Sequence, residues 1–267
     1  PLRATSRGQS VVDRLADLIR DERNLPLAEK RLEDLTGAED PAVRRWSTLL
    51  AYRAARIRDD EARAQRLLSE MMGMPADRRD AVKFPVAVVL LLRENGRYQD
   101  AATYARDGAE GISPRSRAQL LRNAASWLGQ LARSRRQAIE LYRELTERGS
   151  SNVHNDRRKL IQNLTEAGRM EEAWEELKEF GWESSDWPWW QAFRTILRAE
   201  PKAEIAVSRG IAAWRRRRAR HGSYGDNVWR DMIDRANAAI GREELSESTR
   251  DDLAKVLVQH VRDVLSS

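Results

Sequence analysis

The sequence contains no cysteine and only three histidines among its 267 residues. Without thiols the chain cannot form disulfide bonds, thiolate nucleophiles or zinc sites with cysteine ligands. The histidines, His154, His221 and His260, are isolated, and none belongs to a local His-x-x-x-His or Glu-x-x-His metal motif. Long apolar runs are also missing, because the longest, Val86–Leu92, has seven residues and is too short to cross a bilayer.

Recognisable catalytic motifs are absent too. The sequence has no phosphate-binding loop of the Gly-x-x-x-x-Gly-Lys-Ser/Thr type, no Gly-x-Gly-x-x-Gly turn and no Gly-x-Ser-x-Gly elbow. The acidic pairs Asp59-Asp60, Glu171-Glu172 and Asp251-Asp252 flank predicted helix starts, where carboxylates favour the positive end of the helix dipole. The sequence therefore predicts a protein that is not an enzyme and that carries no cofactor and no metal.

Charged residues are abundant but nearly balanced. They make up 34% of the chain, and the mean hydropathy is −0.71. Forty-eight basic side chains against forty-two acidic ones leave a net charge of +6, whereas sequence-independent nucleic-acid binders more often carry a larger excess on one face. Because no signal peptide is visible, we expect a cytoplasmic protein, and a removed targeting segment stays open because the sequence begins at Pro1.

A repeat of about 36 residues is the strongest positive signal. Five alanines at the start of amphipathic helical patterns recur at intervals of 36, 37, 37 and 35 residues. A period of this length that carries a helix, a turn and a second helix is typical of helical solenoids. These marker alanines, expected at close contacts between helices, are Ala28, Ala64, Ala101, Ala138 and Ala173.

The repeats resemble the tetratricopeptide family. The resemblance lies in the Gly96-Arg97-Tyr98-x-Asp-Ala turn, in the marker alanine that opens each second helix, and in prolines that close the repeats at Pro41, Pro75 and Pro114. It covers about residues 10–181 and extends to about 220. It implies an all-α, right-handed superhelical array of antiparallel helix pairs, with about thirteen or fourteen helices.

Two regions follow from the repeats. Residues 1–181 are predicted to hold five helix pairs, and residues 182–267 a divergent sixth repeat with a capping pair packed on the array. Trp182, Trp187, Trp189 and Trp190 fall where these regions meet. We interpret these tryptophans as a hydrophobic joint, with an exposed aromatic platform as the alternative.

In the resembled family, the first helix of each repeat lines a concave groove, and its ligand-facing positions recur at fixed offsets from the marker alanine. From the second repeat onward those offsets select basic, amide and aromatic residues, together with Leu49, Val86, Leu90 and Thr165, and no acid. Such side chains suit an extended peptide with an acidic side chain or a free carboxylate, although a merely solvated basic face is the alternative. The predicted groove residues are Arg53, Arg56, Arg93, Asn123, Trp127, Gln130, Arg158 and Gln162.

A second basic cluster lies near the C-terminus. Cations at the end of a helix are favoured by the dipole, so a solvated helix end explains the cluster as readily as a patch for an anionic partner does. The cluster consists of Arg215, Arg216, Arg217, Arg218 and Arg220.

The sequence thus predicts a non-catalytic scaffold that binds a protein or peptide, as the docking or sensor part of a larger protein or complex. The alternative is an RNA-binding helical repeat. Repeats that read RNA place recurring polar side chains at equivalent positions, whereas the predicted groove residues change type from repeat to repeat.

Overall fold

The computed structural model describes residues 14–20, 22–74, 82–108, 112–149, 151–180, 187–217 and 224–265. Within these ranges the chain is all-α, with no strand. Residues 14–19 form α1, and two short 3-10 helices cover Glu22–Asn24 and Ala132–Ser134. The remaining helices are α2 Leu25–Thr36, α3 Pro41–Ile57, α4 Glu61–Met72, α5 Lys83–Glu94, α6 Tyr98–Asp107, α7 Pro114–Leu128, α8 Arg135–Glu147, α9 Val153–Glu166, α10 Met170–Glu179, α11 Trp187–Ala199, α12 Ala203–Arg217, α13 Tyr224–Ile240 and α14 Glu247–Leu265.

Local chemistry sets several of these boundaries. Asp40 accepts a hydrogen bond from the backbone N–H of Ala42 at 2.8 Å, and Pro41 occupies the first turn of α3, where its missing N–H has no cost. Gly96 and Gly168, the glycines of the two most similar turns, both have φ of +73°, a backbone conformation that favours glycine. The helix pairs α5–α6 and α9–α10 are therefore joined at the turns that the sequence predicts.

The first predicted helix is interrupted. The sequence predicts one helix over residues 10–23, whereas the described part of it is helical only over residues 14–19 and is followed by a turn at Arg20 and the 3-10 helix. Pro26 lies in the first turn of α2, where a proline is tolerated at the start of a separate helix but not inside a continuous one.

All five marker alanines are fully buried. Ala28, Ala64, Ala101, Ala138 and Ala173 each have 0% of their surface exposed, as predicted for residues at close helix contacts. Alanine suits these positions because a larger side chain would force the helices apart or into strained rotamers.

The contacts divide the chain into two compact units, Pro1–Leu141 and Tyr142–Ser267, with the boundary inside α8. In unit 1, consecutive helices from α2 to α6 pack against each other, and α7 packs against both α5 and α6. Each pair thus packs on the next, an arrangement compatible with a helical repeat. Its most buried large side chains include Leu32, Leu49, Leu68, Phe84 and Leu120.

Unit 2 contains the C-terminal helices. Helix α11 packs extensively against α9, and α13 packs against both α11 and α12. Trp189 is fully buried and stacks on Phe193, with 5.2 Å between ring centroids, while Trp190 meets Trp189 edge to face. Trp187 is 44% exposed, and Trp182 lies outside the described residues. Of the three described tryptophans, Trp189 thus belongs to the core, Trp190 is half-buried and Trp187 is exposed.

Candidate functional site

A cleft of about 480 Å³ lies between α1, α3 and α5 of unit 1. We call it the unit 1 cavity. Its volume lies in the range of pockets that hold small ligands or side chains of a partner. Apolar residues from all three helices form its floor, namely Ala16, Ile19, Leu49, Leu50, Ile57, Ala87, Leu90 and Leu91. Polar side chains stand among and around them, namely Arg20, Tyr52, Arg53, Arg56, Glu94 and Asn95.

Two of the predicted groove residues, Arg53 and Arg56, line this cavity, and both are exposed. Arg56 is already engaged by Glu61, with 2.5 Å between its NH1 and a carboxylate oxygen. Within the part of the chain that the structure describes, Arg53 forms no ion pair or side-chain hydrogen bond. Arg53 is therefore the cation of the cavity that is left available to a ligand.

Acids from positions outside the predicted line also approach this cavity. Glu94 belongs to its lining, and Glu61 pairs with Arg56 from the start of α4. Neither acid lies at the offsets counted from the marker alanines. Glu94 reaches this surface from the end of α5, and Glu61 reaches it from the start of α4. The local charge is consequently only moderately positive.

Tyr52 and Asn95 were not selected from the sequence, yet they connect two helices at the cavity. Asn95 Nδ2 donates to the Tyr52 hydroxyl at 2.7 Å and to the Leu91 carbonyl at 2.7 Å. Its Oδ1 accepts from Gln65 at 3.2 Å. Because Tyr52 is 3% exposed, this pair fixes the end of α5 against α3 and holds the cavity in shape.

The other predicted residues of unit 1 lie beyond the lining of the cavity. Arg93 donates from NH2 to Gln130 Oε1 at 3.2 Å, so the structure brings together two predicted residues 37 positions apart. Asn123 accepts a hydrogen bond from Gln119 at 3.1 Å, and Trp127 is half-buried. Arg93 and Gln130 thus form one polar contact between α5 and the end of α7.

In unit 2, the predicted residues Arg158 and Gln162 belong to a continuous polar stripe along α9. We call this stripe the α9 row. Hydrogen bonds join its members in two groups: Arg158 donates to Asn155, and separately Lys159 donates to Gln162, which donates to Glu166. Its residues are Asn155, Arg158, Lys159, Gln162 and Glu166.

Both cations of the α9 row have lowered pKa values. Burial lowers the pKa of the Arg158 guanidinium, against an opposing effect of Tyr142. Burial also lowers the pKa of the Lys159 ammonium, and the neighbouring charge of Arg158 lowers it further, while Glu166 acts in the opposite direction. The row therefore holds two partly desolvated positive charges side by side.

The predicted C-terminal patch is only partly within the described residues. Arg215 is exposed and forms an ion pair with Asp252 of α14 at 2.8 Å. Arg216 and Arg217 lie in α12, but their side chains are outside the described set, and Arg218 and Arg220 lie outside the described residues altogether. Arg215, the first arginine of this cluster, is thus paired with another helix of unit 2.

Among the described residues, no three His, Asp or Glu side chains come together as a possible metal site, and no helix is long and apolar enough to cross a membrane. Comparison with known proteins gives no relative to argue from: no protein-family model matches the chain, and no curated protein sequence is significantly similar to it. The function must therefore be argued from the two surfaces described above.

Proposed function

We propose that the chain is a tetratricopeptide-like superhelical array that acts as a non-catalytic scaffold and binds a segment of a partner protein in the unit 1 cavity. The observation that carries this proposal is the combination of an apolar floor with an exposed, unengaged guanidinium at Arg53. The floor offers burial to apolar side chains of the segment. Arg53 offers a two-pronged hydrogen-bonded ion pair to a carboxylate.

The charge of the cavity favours an acidic segment. Three arginines, Arg20, Arg53 and Arg56, stand against the single lining acid Glu94. Of these arginines, Arg20 pairs with Asp17 at 3.2 Å and Arg56 pairs with Glu61. In a segment that presents one carboxylate beside a large apolar side chain, the carboxylate would pair with Arg53 and the apolar side chain would cover the floor of the cavity.

Selection from a library of random linear peptides tests this proposal. We expect the whole chain to enrich peptides that combine large apolar residues with Asp or Glu. Arg53→Ala should weaken binding of a selected peptide at least about tenfold, the effect of losing about 1.4 kcal/mol. Ala87→Leu, which adds volume to the half-buried lining, should weaken it independently.

Arg58→Ala is the matched control. Arg58 lies just after α3 and is already paired with Glu29 at 3.0 Å, so its removal changes the net charge equally without touching the cavity. Exposed arginines contribute little to folding, so the unmodified chain, Arg53→Ala and Arg58→Ala should have similar melting temperatures. Selected peptides that bind Arg53→Ala and Arg58→Ala equally well would contradict the proposed site. Tight binding of single-stranded RNA that falls steeply with salt would favour the RNA-binding alternative.

A further inference from the structure

The α9 row lies on the side of its helix opposite to the core. Its members are spaced by three or four positions, so they share one face. The opposite face of α9 holds buried side chains such as Leu160, Ile161 and Leu164. The row is thus a polar strip on the outside of unit 2, partly shielded at Arg158 and Lys159 and exposed at Glu166.

Neither cation of the row forms an ion pair with an acid among the described residues, although the charge of Glu166 acts on Lys159. Arg158 donates from Nε at 3.1 Å and from NH2 at 2.9 Å to the amide oxygen of Asn155. Lys159 donates from Nζ to the amide oxygen of Gln162 at 3.1 Å. Neutral amides satisfy the hydrogen-bond donors but do not neutralise the charges. Half-buried cations so placed gain more from an added anion than exposed ones do.

The neighbouring Arg157 shows the contrast. It faces the other side of α9, where Glu176 lies 3.9 Å away and the Glu179 carbonyl accepts its NH1 at 2.8 Å. Acidic partners are common for arginines elsewhere in unit 2, as between Arg143 and Glu172. Arg158 and Lys159 therefore differ from the arginines around them because neither forms an ion pair.

The position of the acid in the row is also unusual. Glu166 is the last residue of α9, where the negative end of the helix dipole disfavours a carboxylate. Arg158 and Lys159 lie beyond the first turn of α9, where the dipole has little effect, so only the position of Glu166 runs against helix stability. A local arrangement that runs against stability is what functional sites commonly show.

We propose that the α9 row binds an extended peptide segment of mixed charge, with an acidic side chain at Arg158 and Lys159 and a basic side chain at Glu166. Arg158 and Glu166 are eight positions apart, which corresponds to about 12 Å along a helix. An extended chain covers that distance in about four residues. The row therefore selects Asp or Glu and, about four residues away, Lys or Arg. It also fixes the direction of the segment.

The same charges disfavour a nucleic acid. A phosphate backbone that paired with Arg158 would carry further negative charges past Glu166, whereas a mixed-charge peptide places a cation there. The row has two positive charges and one negative, so its net charge is +1. Binding of a polyanion rests on several cations that contact several phosphates, and the row offers only an adjacent pair.

The proposal takes the peptide nature of the ligand from the proposed function, but it concerns a different surface, in the other unit. Four synthetic probes test it on the whole chain: a Gly/Ser peptide with Asp and Lys four residues apart, the same peptide in reversed order, a peptide with Asp alone, and a short oligouridine. Binding is followed by NMR at the side chains of Arg158 and Lys159. We expect the first or the second probe to bind several-fold more tightly than the Asp-only peptide, and the two orders to differ. Occupancy should also raise the measured pKa of Lys159.

Variants then assign the charges. We expect each of Arg158→Gln and Lys159→Gln to bind the preferred probe at least about tenfold more weakly than the unmodified chain does. Glu166→Gln should bind the preferred probe only as tightly as the unmodified chain binds the Asp-only peptide. Lys178→Gln is the control of equal charge, because Lys178 is exposed on α10 and already paired with Glu175 at 3.2 Å. Lys178→Gln should bind the preferred probe as tightly as the unmodified chain does.

Three results would overturn the inference. The first is the absence of shifts at Lys159 with any peptide. The second is peptide binding that Arg158→Gln leaves unchanged, and the third is tighter binding of oligouridine than of the mixed-charge probes. Peptide binding at the unit 1 cavity alone would refute the α9 row and leave the proposed function standing. Probe binding at the row, together with library-selected peptides that bind Arg53→Ala as tightly as they bind the unmodified chain, would refute the unit 1 cavity and leave the α9 row standing.

Discussion

The hydrogen bond between Trp174 and Glu200 should stabilise unit 2 measurably. Trp174 Nε1 donates to the Glu200 carboxylate at 2.8 Å, and both residues are buried, with 6% and 3% of their surface exposed. The bond connects α10 to the turn after α11. Removing it therefore tests whether the C-terminal helices are integral to this unit, as the sequence predicts for a segment that packs on the fifth repeat.

Its size follows from the groups involved. Hydrogen bonds to a charged partner contribute about 1.5–3 kcal/mol. Trp174→Phe deletes the donor but keeps an aromatic ring, so Arg209, which lies 4.6 Å from the ring centroid, keeps a ring to contact. Glu200→Met deletes the acceptor and keeps a similar length of side chain. We expect a coupling energy between the two substitutions of about 2 kcal/mol.

Urea unfolding of the four proteins of this double-mutant cycle, followed by far-ultraviolet circular dichroism, measures the coupling. The denaturant slope should stay unchanged, so that midpoints report stability. The double variant should be more stable than the sum of the single effects predicts, because it leaves no buried carboxylate without its indole donor. A coupling energy below about 0.5 kcal/mol would refute the reasoning, since that is the range seen for independent sites.

Two further predictions concern packing and pH. Ala101→Leu should lower the free energy of unfolding by about 1–3 kcal/mol through overpacking, whereas the exposed Ala254 should tolerate leucine with little change in the same urea assay; equal effects would remove the special role of the marker alanines. Burial alone would raise the pKa of Asp231, but hydrogen bonds from Arg198 and Arg194 outweigh it and hold the pKa below its ordinary 3.8. The unfolded chain therefore binds a proton at Asp231 at a higher pH than the native chain does. The stability that ionised Asp231 contributes is fully present above the ordinary pKa and is lost as the pH falls through the lower pKa of the native state. The stability difference between the unmodified chain and Asp231→Asn should therefore stay constant above about pH 5 and shrink as the pH falls below the ordinary pKa of 3.8, and a difference that stayed constant there too would contradict the assignment.

The helices and their contacts could be predicted because the information is local and repeated. The marker alanines are buried wherever the period places them, and Gly96 and Gly168 adopt the positive φ that their turns require. Each of these features depends on residues within one repeat. An amphipathic stripe and a turn residue are sufficient to specify them.

The candidate sites were predicted less completely, for a geometric reason. Counting fixed offsets from the alanines selected Arg56 and Arg158 but could not show that Glu61 approaches the first. It also passed over Lys159, which stands beside Arg158 on the same face of α9. Which side chains share a surface depends on how neighbouring helices pack and on side-chain rotamers, and a single sequence records neither.

The spacing of the side-chain contacts has a consequence for how the protein forms. Contacts between helices join residues about one repeat apart, with 38 positions between Gln99 and Gln137 and 34 between Arg106 and Glu140. Closing such short loops has a small entropic cost, and proteins rich in near-neighbour contacts fold quickly. A helix pair can thus find its partners soon after they leave the ribosome. We therefore expect native structure to grow from the N-terminus during synthesis, before the C-terminal helices exist.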